Sequence, residues 1–330
     1  MRIGIDAMGG DRAPVEEVQG VLAARAVLAP DDKIILVGRE SAIRPQLAGV
    51  SGWQDFIEIR RAEQVIGMDE TPVEALRAKP DSSIAVLTKM HRDGEIDAGV
   101  SAGNTGAYVA AAQMHLRRLR GVHRPGIAVS TSTFHGPVTI CDVGANISCR
   151  PQHLHQYGVM ASVYHRMICG VDRPRVGLLS VGEEDTKGNE LVKRTRDLLR
   201  DDPNVNFIGN IEGRDLVRGV CDVVVCDGFV GNVTLKLIEG LGQSMLTAMV
   251  DDLRFSLPEH LIAVKQAASR IAARYDFNEY GGAPLLGVGG ICIICHGATN
   301  SVGFKNALRV AKDVVNRRVN ETITDILSQQ

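Results

Sequence analysis

Short apolar runs that each end in a polar, glycine-containing turn recur along this 330-residue chain. The clearest example covers residues 222–226, DVVVC, a β-branched run typical of a strand that is buried on both faces. A polar turn at 227–232 follows it, and from Val233 onward the apolar residues have the spacing of a helix. Repeated units of strand, turn and helix predict an open α/β sheet, whose ligands bind at the carboxyl ends of parallel strands.

Polar side chains surround the predicted end of this strand. Asp227 and Asn232 lie in the turn, and Lys236 lies one helical turn further on. The N–H groups at the start of a helix favour a bound anion, so the three residues are candidates for one anion pocket. They also have a purely local interpretation, in which Asp227 and Asn232 cap the turn and helix and Lys236 lies on a solvated face. The pattern leaves both interpretations open.

The composition narrows the class of protein. A hydrophobic content of 45% supports a sizeable core, and 37 Lys and Arg against 39 Asp and Glu give a net charge of -2. This balance argues against a nucleic-acid groove and leaves electrostatic partners to local patches. Asp6 interrupts the N-terminal apolar stretch, which does not resemble a signal peptide, and no apolar run approaches a membrane span. We expect a cytosolic protein whose seven cysteines are reduced.

The first strand, predicted at residues 2–6, ends in a glycine-rich turn before a helix that Pro14 opens. This turn has neither the GxGxxG pattern of a dinucleotide site nor the GxxxxGK pattern of a P-loop, so neither NAD nor ATP is favoured as a ligand. Its candidate substrate-binding residues are Asp6, Gly10 and Asp11.

Lys79 and Ser82, together with Arg77 and Ser83, cluster where two predicted helices meet. Asp81 or Ser82 is suited to cap the second of these helices. The cluster has the residue types that hold a phosphate group. The same residues also suit a capped turn with exposed cations, and the sequence does not separate the two.

The turn after the predicted strand at 96–100 reads SAGNTGA. Its small residues let a ligand approach the backbone at the start of the next helix, and its polar side chains add hydrogen-bond donors. The turn therefore predicts an oxyanion site, with four candidate substrate-binding residues: Ser101, Gly103, Asn104 and Thr105.

The same turn also matches the nucleophile elbow of serine hydrolases. GVSAG places Ser101 at the centre of GxSxG between a predicted strand and a helix. Asp227 and His296 follow in the chain order of the α/β-hydrolase triad. A serine hydrolase or thioesterase is therefore an alternative function, and a binding protein without catalysis is a third.

Two later predicted strands also end in polar residues. Asn146 follows one of them, together with Asp142 and Gly144. Glu183 and Lys187 follow the predicted strand at 175–180, and a Lys near the start of a helix is unfavourable with the helix dipole unless it meets an anion.

His296 follows the run ICIIC, which also spells the CxxCH pattern of haem attachment. The apolar run predicts a strand, and two Cys at this spacing point to opposite strand faces, so we interpret Cys292 and Cys295 as core residues.

Three further segments stand apart from these strand ends. The run at 115–124, HLRRLRGVHR, concentrates arginines that either complement a helix dipole or dock an acidic partner. The largely helical region at 241–274 suits a subunit interface, a tunnel for an apolar ligand or a bilayer surface. The segment at 280–287, YGGAPLLG, is predicted to form a rigid loop that closes over the site.

Taken in order, these motifs closely resemble those of the bacterial phosphate acyltransferases of phospholipid synthesis. The motifs are IDAMGGD at 5–11, SAGNTGA at 101–107, DVGAN at 142–146, SVGEEDTKG at 180–188, CDGFVGNVTLK at 226–236, YGGAPLLG at 280–287 and HGATN at 296–300. The resemblance extends from Ile3 to about Gly303. Thr299 departs from the small and Ser residues expected around His-Gly.

The resemblance implies a three-layer α/β/α fold like that of isocitrate and isopropylmalate dehydrogenases and of phosphotransacetylase. It implies one catalytic unit over residues 1–330, which can be divided into two lobes with the site in the cleft between them. It further implies a cytosolic homodimer with no metal or nucleotide cofactor, which contacts the membrane peripherally and supplies a downstream glycerol-phosphate acyltransferase.

The implied reaction moves a fatty acyl group from acyl-(acyl carrier protein) to inorganic phosphate. We assign phosphate binding to the start of the helix at 101–105 together with Lys187, and oxyanion stabilisation to Asn232. Asp227 orients Lys187, Lys236 or the phosphate, and His296 donates a proton to the leaving sulfur.

Overall fold

One mixed β-sheet of eleven strands forms the centre of the molecule in a computed structural model that describes residues 1–256 and 258–329. In spatial order the strands are β3-β2-β1-β4-β11-β10-β5-β6-β9-β7-β8. Their bounds are β1 (Arg2–Asp6), β2 (Lys33–Gly38), β3 (Ile57–Arg61), β4 (Ala98–Ser101), β5 (Gly126–Thr133), β6 (Gly136–Cys141), β7 (Arg175–Leu179), β8 (Asn206–Ile211), β9 (Val223–Val225), β10 (Ala283–Leu286) and β11 (Ile291–Ile294).

Helices connect most of these strands. They are α1 (Val15–Ala24), α2 (Glu40–Gln46), α3 (Pro72–Ala78), α4 (Ser83–Arg92), α5 (Thr105–His115), α6 (Pro151–Cys169), α7 (Glu190–Asp201), α8 (Gly228–Ser256), α9 (Leu261–Tyr275), α10 (Phe277–Tyr280), α11 (Ser301–Asn316) and α12 (Val319–Leu327). No described helix has the length and apolarity to cross a membrane. The helical region predicted at 241–274 corresponds to α8 and α9, except for Leu257, which lies outside the described residues.

The two faces of the sheet bury two separate apolar cores. Along β2, Ile34 and Leu36 belong to one core, whereas Ile35 and Val37 belong to the other. The first core includes residues of α1, α6 and α11, and the second includes residues of α3, α4 and α5. Because successive side chains of a strand point to opposite faces, this alternation shows helices on both sides of the sheet. The predicted three-layer α/β/α architecture is thereby confirmed.

The strands of the sheet run in two opposite directions. β3, β2, β1, β4 and β11 are mutually parallel. β10 is antiparallel to both β11 and β5, and β5 forms an antiparallel hairpin with β6. β9, β7 and β8 then continue parallel to β6. The carboxyl ends of β1, β4 and β11 therefore lie at one edge of the sheet, which we call edge A, and those of β6, β9 and β7 lie at the other, edge B.

Two sequence predictions about these elements are wrong. The segment at 280–287 is not a loop over the site, because Ala283–Leu286 forms β10 in the middle of the sheet. Gly281 and Gly282, with φ of 77° and 89°, form the turn that leads into this buried strand. The helix predicted from Val233 begins at Gly228, so the apparent polar turn is its first turn.

Candidate active site

Edge A carries a buried carboxylate cluster at the end of β1. Ser101 Oγ donates a hydrogen bond to Asp6 Oδ2 over 2.7 Å, and the N–H of Gly103 donates to Ser101 Oγ over 3.1 Å. The pKa of Asp6 is raised by its complete burial, an effect that hydrogen bonds from Ser83 and Ser101 oppose. A hydroxyl has one proton to donate, so Ser101 here is oriented by a carboxylate and does not donate to an imidazole.

Asn104 caps α5 beside this cluster. Its Oδ1 accepts the N–H of Ala107 over 3.0 Å, while its Nδ2 donates to the carbonyls of Gly67, Met68 and Glu70. The cap fixes the start of α5, where the helix dipole and the first N–H groups favour an anion. Thr105, the first residue of the helix, is exposed there.

Lys79 and Ser82 hold the loop next to this helix start. Lys79 Nζ donates to the carbonyl of Val65 over 2.8 Å and to Glu70 Oε1 over 2.5 Å. Ser82 caps α4 through a 3.4 Å bond from the N–H of Ala85. These bonds hold the loop and the start of α4 in place.

A second buried carboxyl group, Glu17, lies under the glycine turn. The N–H of Gly10 donates to Glu17 Oε1 over 3.0 Å, and Glu17 Oε2 has no hydrogen-bond partner among the described residues. Burial raises the pKa of Glu17 to about 7. The N–H of Asp11 donates to the carbonyl of Gly297, and this bond joins the turn to the segment that contains the exposed His296.

Edge B has a cluster of its own around Asp142, at the end of β6. The Asp142 carboxylate accepts the N–H groups of Ile127 and Asn146 over 2.9 and 2.7 Å. Asn146 Nδ2 donates in turn to the carbonyl of Pro125, and the N–H of Gly228 donates to the carbonyl of Asn146. These bonds tie the DVGAN turn to the start of α8.

Asp227 and Lys236 have local partners at this edge. Asp227 Oδ1 accepts the N–H groups of Phe229 and Val230, both over 3.0 Å, and thereby caps α8. Lys236 Nζ contacts Glu239 Oε2 at 2.8 Å on an exposed face. Asn232 is exposed near the DVGAN turn, since a Cβ built on Gly144 would lie 4.0 Å from Asn232 Cβ.

Glu183 and Lys187 lie in the exposed loop after β7, also at edge B. Arg214 Nη2 contacts Glu183 at 3.7 Å. α7 begins at Glu190 with Asn189 as its cap, so Lys187 lies three residues before the first residue of the helix.

The predicted site residues therefore form two groups. Edge A joins Asp6, Gly10, Asp11, Ser101, Gly103, Asn104 and Thr105 with Lys79, Ser82 and His296 nearby, and edge B holds Asn146, Glu183, Lys187, Asp227, Asn232 and Lys236. Sequence reasoning missed Glu17, although residues 17, 20, 21 and 24 of α1 are all buried at helical spacing. It also omitted Glu70, which holds Lys79.

Cys292 and Cys295 do not form a haem or metal site. Their side chains belong to opposite apolar cores, as the strand spacing predicts. The described residues contain no group of three or more His, Cys, Asp or Glu side chains placed to hold a metal ion.

Comparison with solved structures shows the fold. The EutD phosphotransacetylase from Staphylococcus aureus is similar with a TM-score of 0.61 and 15% identity, covering 96% of this chain and 94% of that one. A phosphotransacetylase from Streptococcus pyogenes is similar with a TM-score of 0.62 and 16% identity, covering 95% and 94%.

Comparison of sequences shows the family. The profile described as "Fatty acid synthesis protein" matches residues 1–322. A phosphate acyltransferase of Heliobacterium modesticaldum is 48% identical over 96% of this chain and 94% of its own length. A phosphate acyltransferase of Geotalea uraniireducens is 42% identical over 100% and 95%. On these matches, the chain belongs to the fatty acid synthesis protein family, that of the phosphate acyltransferases.

Proposed function

We propose that this protein transfers a fatty acyl group from acyl-(acyl carrier protein) to inorganic phosphate and releases acyl phosphate. The observation that carries the proposal is the match, over nearly the whole chain, to relatives named phosphate acyltransferase. As a member of this family the protein is an acyltransferase. The carrier protein as donor, and acyl phosphate as product, are the parts of the proposal that experiment must test.

The proposed reaction needs no redox step and no covalent enzyme intermediate. A phosphate oxygen attacks the thioester carbonyl carbon and forms a C–O bond, the C–S bond breaks, and the proton of hydrogen phosphate passes to the thiolate. Positioning of the two substrates and stabilisation of the tetrahedral oxyanion are then sufficient sources of rate enhancement.

The phosphate is proposed to bind at the start of α5. The Asn104 cap holds this helix terminus in place, Thr105 is exposed there, and the N–H groups of the first helical turn have no acceptor within the helix. The buried Asp6–Ser101 pair lies behind this turn and fixes the backbone around Gly103.

We propose that residues of edge B complete the same site across a cleft between two halves of the molecule. Each strand of a sheet is rotated relative to its neighbour by about 20–25° on average. Going from β1 to β9 crosses six pairs of neighbouring strands, so the rotation between these two strands adds up to about 120–150°. This rotation turns the carboxyl end of β9 towards the side to which β1 points, although the two strands run in opposite senses within the sheet.

Within that cleft the exposed side chains of Lys187 and Asn232 are proposed to contact the reacting groups. Lys187 supplies a positive charge to phosphate, and Asn232 donates a hydrogen bond to the oxyanion. His296 is proposed to pass a proton to sulfur, and Asp227 to hold the start of α8 in register through its cap.

The family resemblance also leads us to propose a homodimer that contacts the membrane peripherally. α8 carries a stripe of exposed apolar side chains, namely Leu237, Leu241, Met245 and Met249. They recur every four residues, the spacing of one helix face. We propose that a second copy of this chain covers the stripe.

Hydroxylamine trapping tests the proposed function directly. Purified protein is mixed with palmitoyl-(acyl carrier protein) and phosphate, and hydroxamate is measured with and without phosphate. We expect hydroxamate only with phosphate. We expect Asn232→Ala to lower kcat by about 10²–10³-fold, the usual loss of an oxyanion donor, and Lys187→Ala to raise the KM for phosphate.

Lys193→Ala, on α7, is the matched control for Lys187→Ala and retains activity. Fatty acid released equally without phosphate would show hydrolysis instead. In that case a fluorophosphonate probe that labels Ser101 would identify the serine hydrolase, the alternative function that the GVSAG elbow predicts.

A further inference from the structure

A basic surface cavity of about 670 Å³ lies beside the edge B cluster. Its lining combines Arg118 and Arg124, from the loop between α5 and β5, with Arg150 at the start of α6. His123, Ser148, Gln152 and His153 complete it. The lining contains no Asp or Glu, in a chain whose overall net charge is -2.

The three arginines of this basic cavity have no carboxylate partner among the described residues. Arg118 donates to the carbonyl of His123. Exposed arginines elsewhere, such as Arg44 with Glu40, do form ion pairs. Burial, reinforced by the charge of Arg124, His123 and Arg150, lowers the pKa of His153. Because all three arginines line the same cavity, their guanidinium groups act on one small volume.

The walls of the basic cavity are fixed by hydrogen bonds to backbone groups. Leu119 and Gly289 tie the first loop to the segment after β10, through the carbonyls of Gly287 and Arg117. Gln156 of α6 accepts the N–H of His123 over 2.8 Å and donates to the carbonyl of Gly121. The charged groups thus lie on a pre-formed surface.

Two further hydrogen bonds connect the basic cavity to the candidate site. Asn146 donates to the carbonyl of Pro125, directly after Arg124, and its own carbonyl accepts the N–H of Gly228 at the start of α8. Ser148 and Arg150 then follow Asn146 in the chain. A partner bound in the cavity would therefore lie next to the DVGAN turn and the start of α8.

We propose that this basic cavity docks the acidic surface of the acyl carrier protein and so delivers the thioester to the site. The inference rests on the proposed function and names the surface that its donor uses. All three arginines are exposed, which suits carboxylates on a macromolecular surface better than a small, desolvated anion. Complementary charge at such a surface raises the association rate and weakens with salt.

A comparison of two donors tests the docking surface. Initial rates are measured with palmitoyl-(acyl carrier protein) and with palmitoyl-pantetheine, which lacks the protein, for wild type, Arg118→Ala/Arg124→Ala and Arg150→Ala. We expect the double variant to lower kcat/KM for the protein donor about tenfold, as the loss of two exposed charge pairs allows. The rate with palmitoyl-pantetheine and the KM for phosphate stay unchanged.

Arg44→Ala on α2, beside the outer strand β3, is the matched control and keeps the wild-type rate with both donors. Added NaCl should reduce the wild-type rate with the protein donor more steeply than that of the double variant. An equal loss with both donors, or a raised KM for phosphate, would overturn the docking proposal.

Fluorescence anisotropy with labelled carrier protein separates this proposal from the proposed function. If wild type makes acyl phosphate from neither donor, the proposed function fails. The docking surface is then tested by binding alone, where the double variant must bind the carrier protein about tenfold more weakly than Arg44→Ala. Equal binding by the two variants would reject it.

Discussion

Glu17 places a titratable group in the interior of the protein at the edge of the candidate site. The side chain is completely buried on α1, and only one of its two oxygens has a partner among the described residues. Burial favours the neutral acid, which is why its pKa is raised from 4.5 to about 7. The folded state therefore holds this proton at pH values where the unfolded chain has released it.

This pKa predicts how stability changes with pH. The proton bound by Glu17 contributes to the free energy of unfolding. This contribution is fully present below pH 4.5 and is lost as the pH rises through about 7. Relative to Glu17→Gln, wild type should lose about 2–3 kcal/mol of unfolding free energy between pH 5 and pH 8. Urea denaturation at the two pH values measures the difference.

Glu74→Gln, at an exposed position of α3, controls for the loss of one acidic charge. If Glu17→Gln and wild type keep a constant difference in unfolding free energy across this range, Glu17 does not titrate there and our description of its environment is wrong.

Single residues differ in how far the sequence predicts them. Asn104 and Ser82 are predicted as polar groups at helix starts, and the structure shows both as caps, because a cap depends on its own local backbone. The burial of Glu17 is not predicted, because a glutamate in the sequence of a helix is normally assigned to the exposed face, even where its spacing matches that of the apolar residues. Glu17 bonds to the turn that carries Gly10, and Asp11 joins this turn to the distant segment after β11, a contact that no local pattern contains.

At the level of elements, the start of α8 is packed against the loop after β6 more closely than any side chain allows. A Cβ built on Gly231 would lie 1.9 Å from the carbonyl oxygen of Asp142. Gly240, further along the same helix, has no heavy atom within 4 Å of such a Cβ. The two glycines therefore have opposite predicted responses to the same substitution.

Gly231→Ala should destabilise the protein by about 2–3 kcal/mol, because the loop must move to admit the methyl group. It should also lower acyl transfer, since that loop carries Asn146. Gly240→Ala should instead stabilise by about 0.5–1 kcal/mol through the helix propensity of alanine. Urea denaturation of both variants measures the change in the free energy of unfolding. Equal changes for the two variants would show that Gly231 does not pack this closely against the carbonyl of Asp142.

Elements with a continuous apolar pattern are predictable, whereas those with mixed composition are not. The strands predicted at 175–180 and 222–226 agree with β7 and β9 within a few residues. β10 was predicted as a loop because APLL is short, contains Pro284 and follows two glycines. Pairing with β11 and β5 decides its conformation, and neither partner is close in sequence.

For the whole molecule, the exposed face of α8 predicts a change in assembly. Leu241→Asp/Met245→Asp places two charges in the apolar stripe, and we expect it to convert the proposed dimer into a monomer by light scattering. The opposite, polar face of the same helix provides the control, Gln243→Asp/Thr247→Asp, which should remain dimeric. A double variant that stays dimeric but loses co-sedimentation with vesicles would assign the stripe to the membrane instead.

The sequence predicts only part of the order and direction of the strands in the whole molecule. Each strand-turn-helix unit is recognisable, and the apolar runs on either side of residues 134–137 indicate a hairpin, which the structure confirms as β5 and β6. The insertion of β10, which reverses the strand direction between β11 and β5, is not predicted. A reversal of this kind depends on which strands become neighbours, and strand patterns alone do not encode that choice.

The position of β11 determines the order in which the molecule can be completed. This strand lies between β4 and β10 in the sheet, yet β4 ends at Ser101 and β11 begins only at Ile291. During synthesis the side of β4 away from β1 therefore waits unpaired while almost two hundred residues emerge. The nascent chain carries an open strand edge through this period, which is a site for misassociation between polypeptides on neighbouring ribosomes.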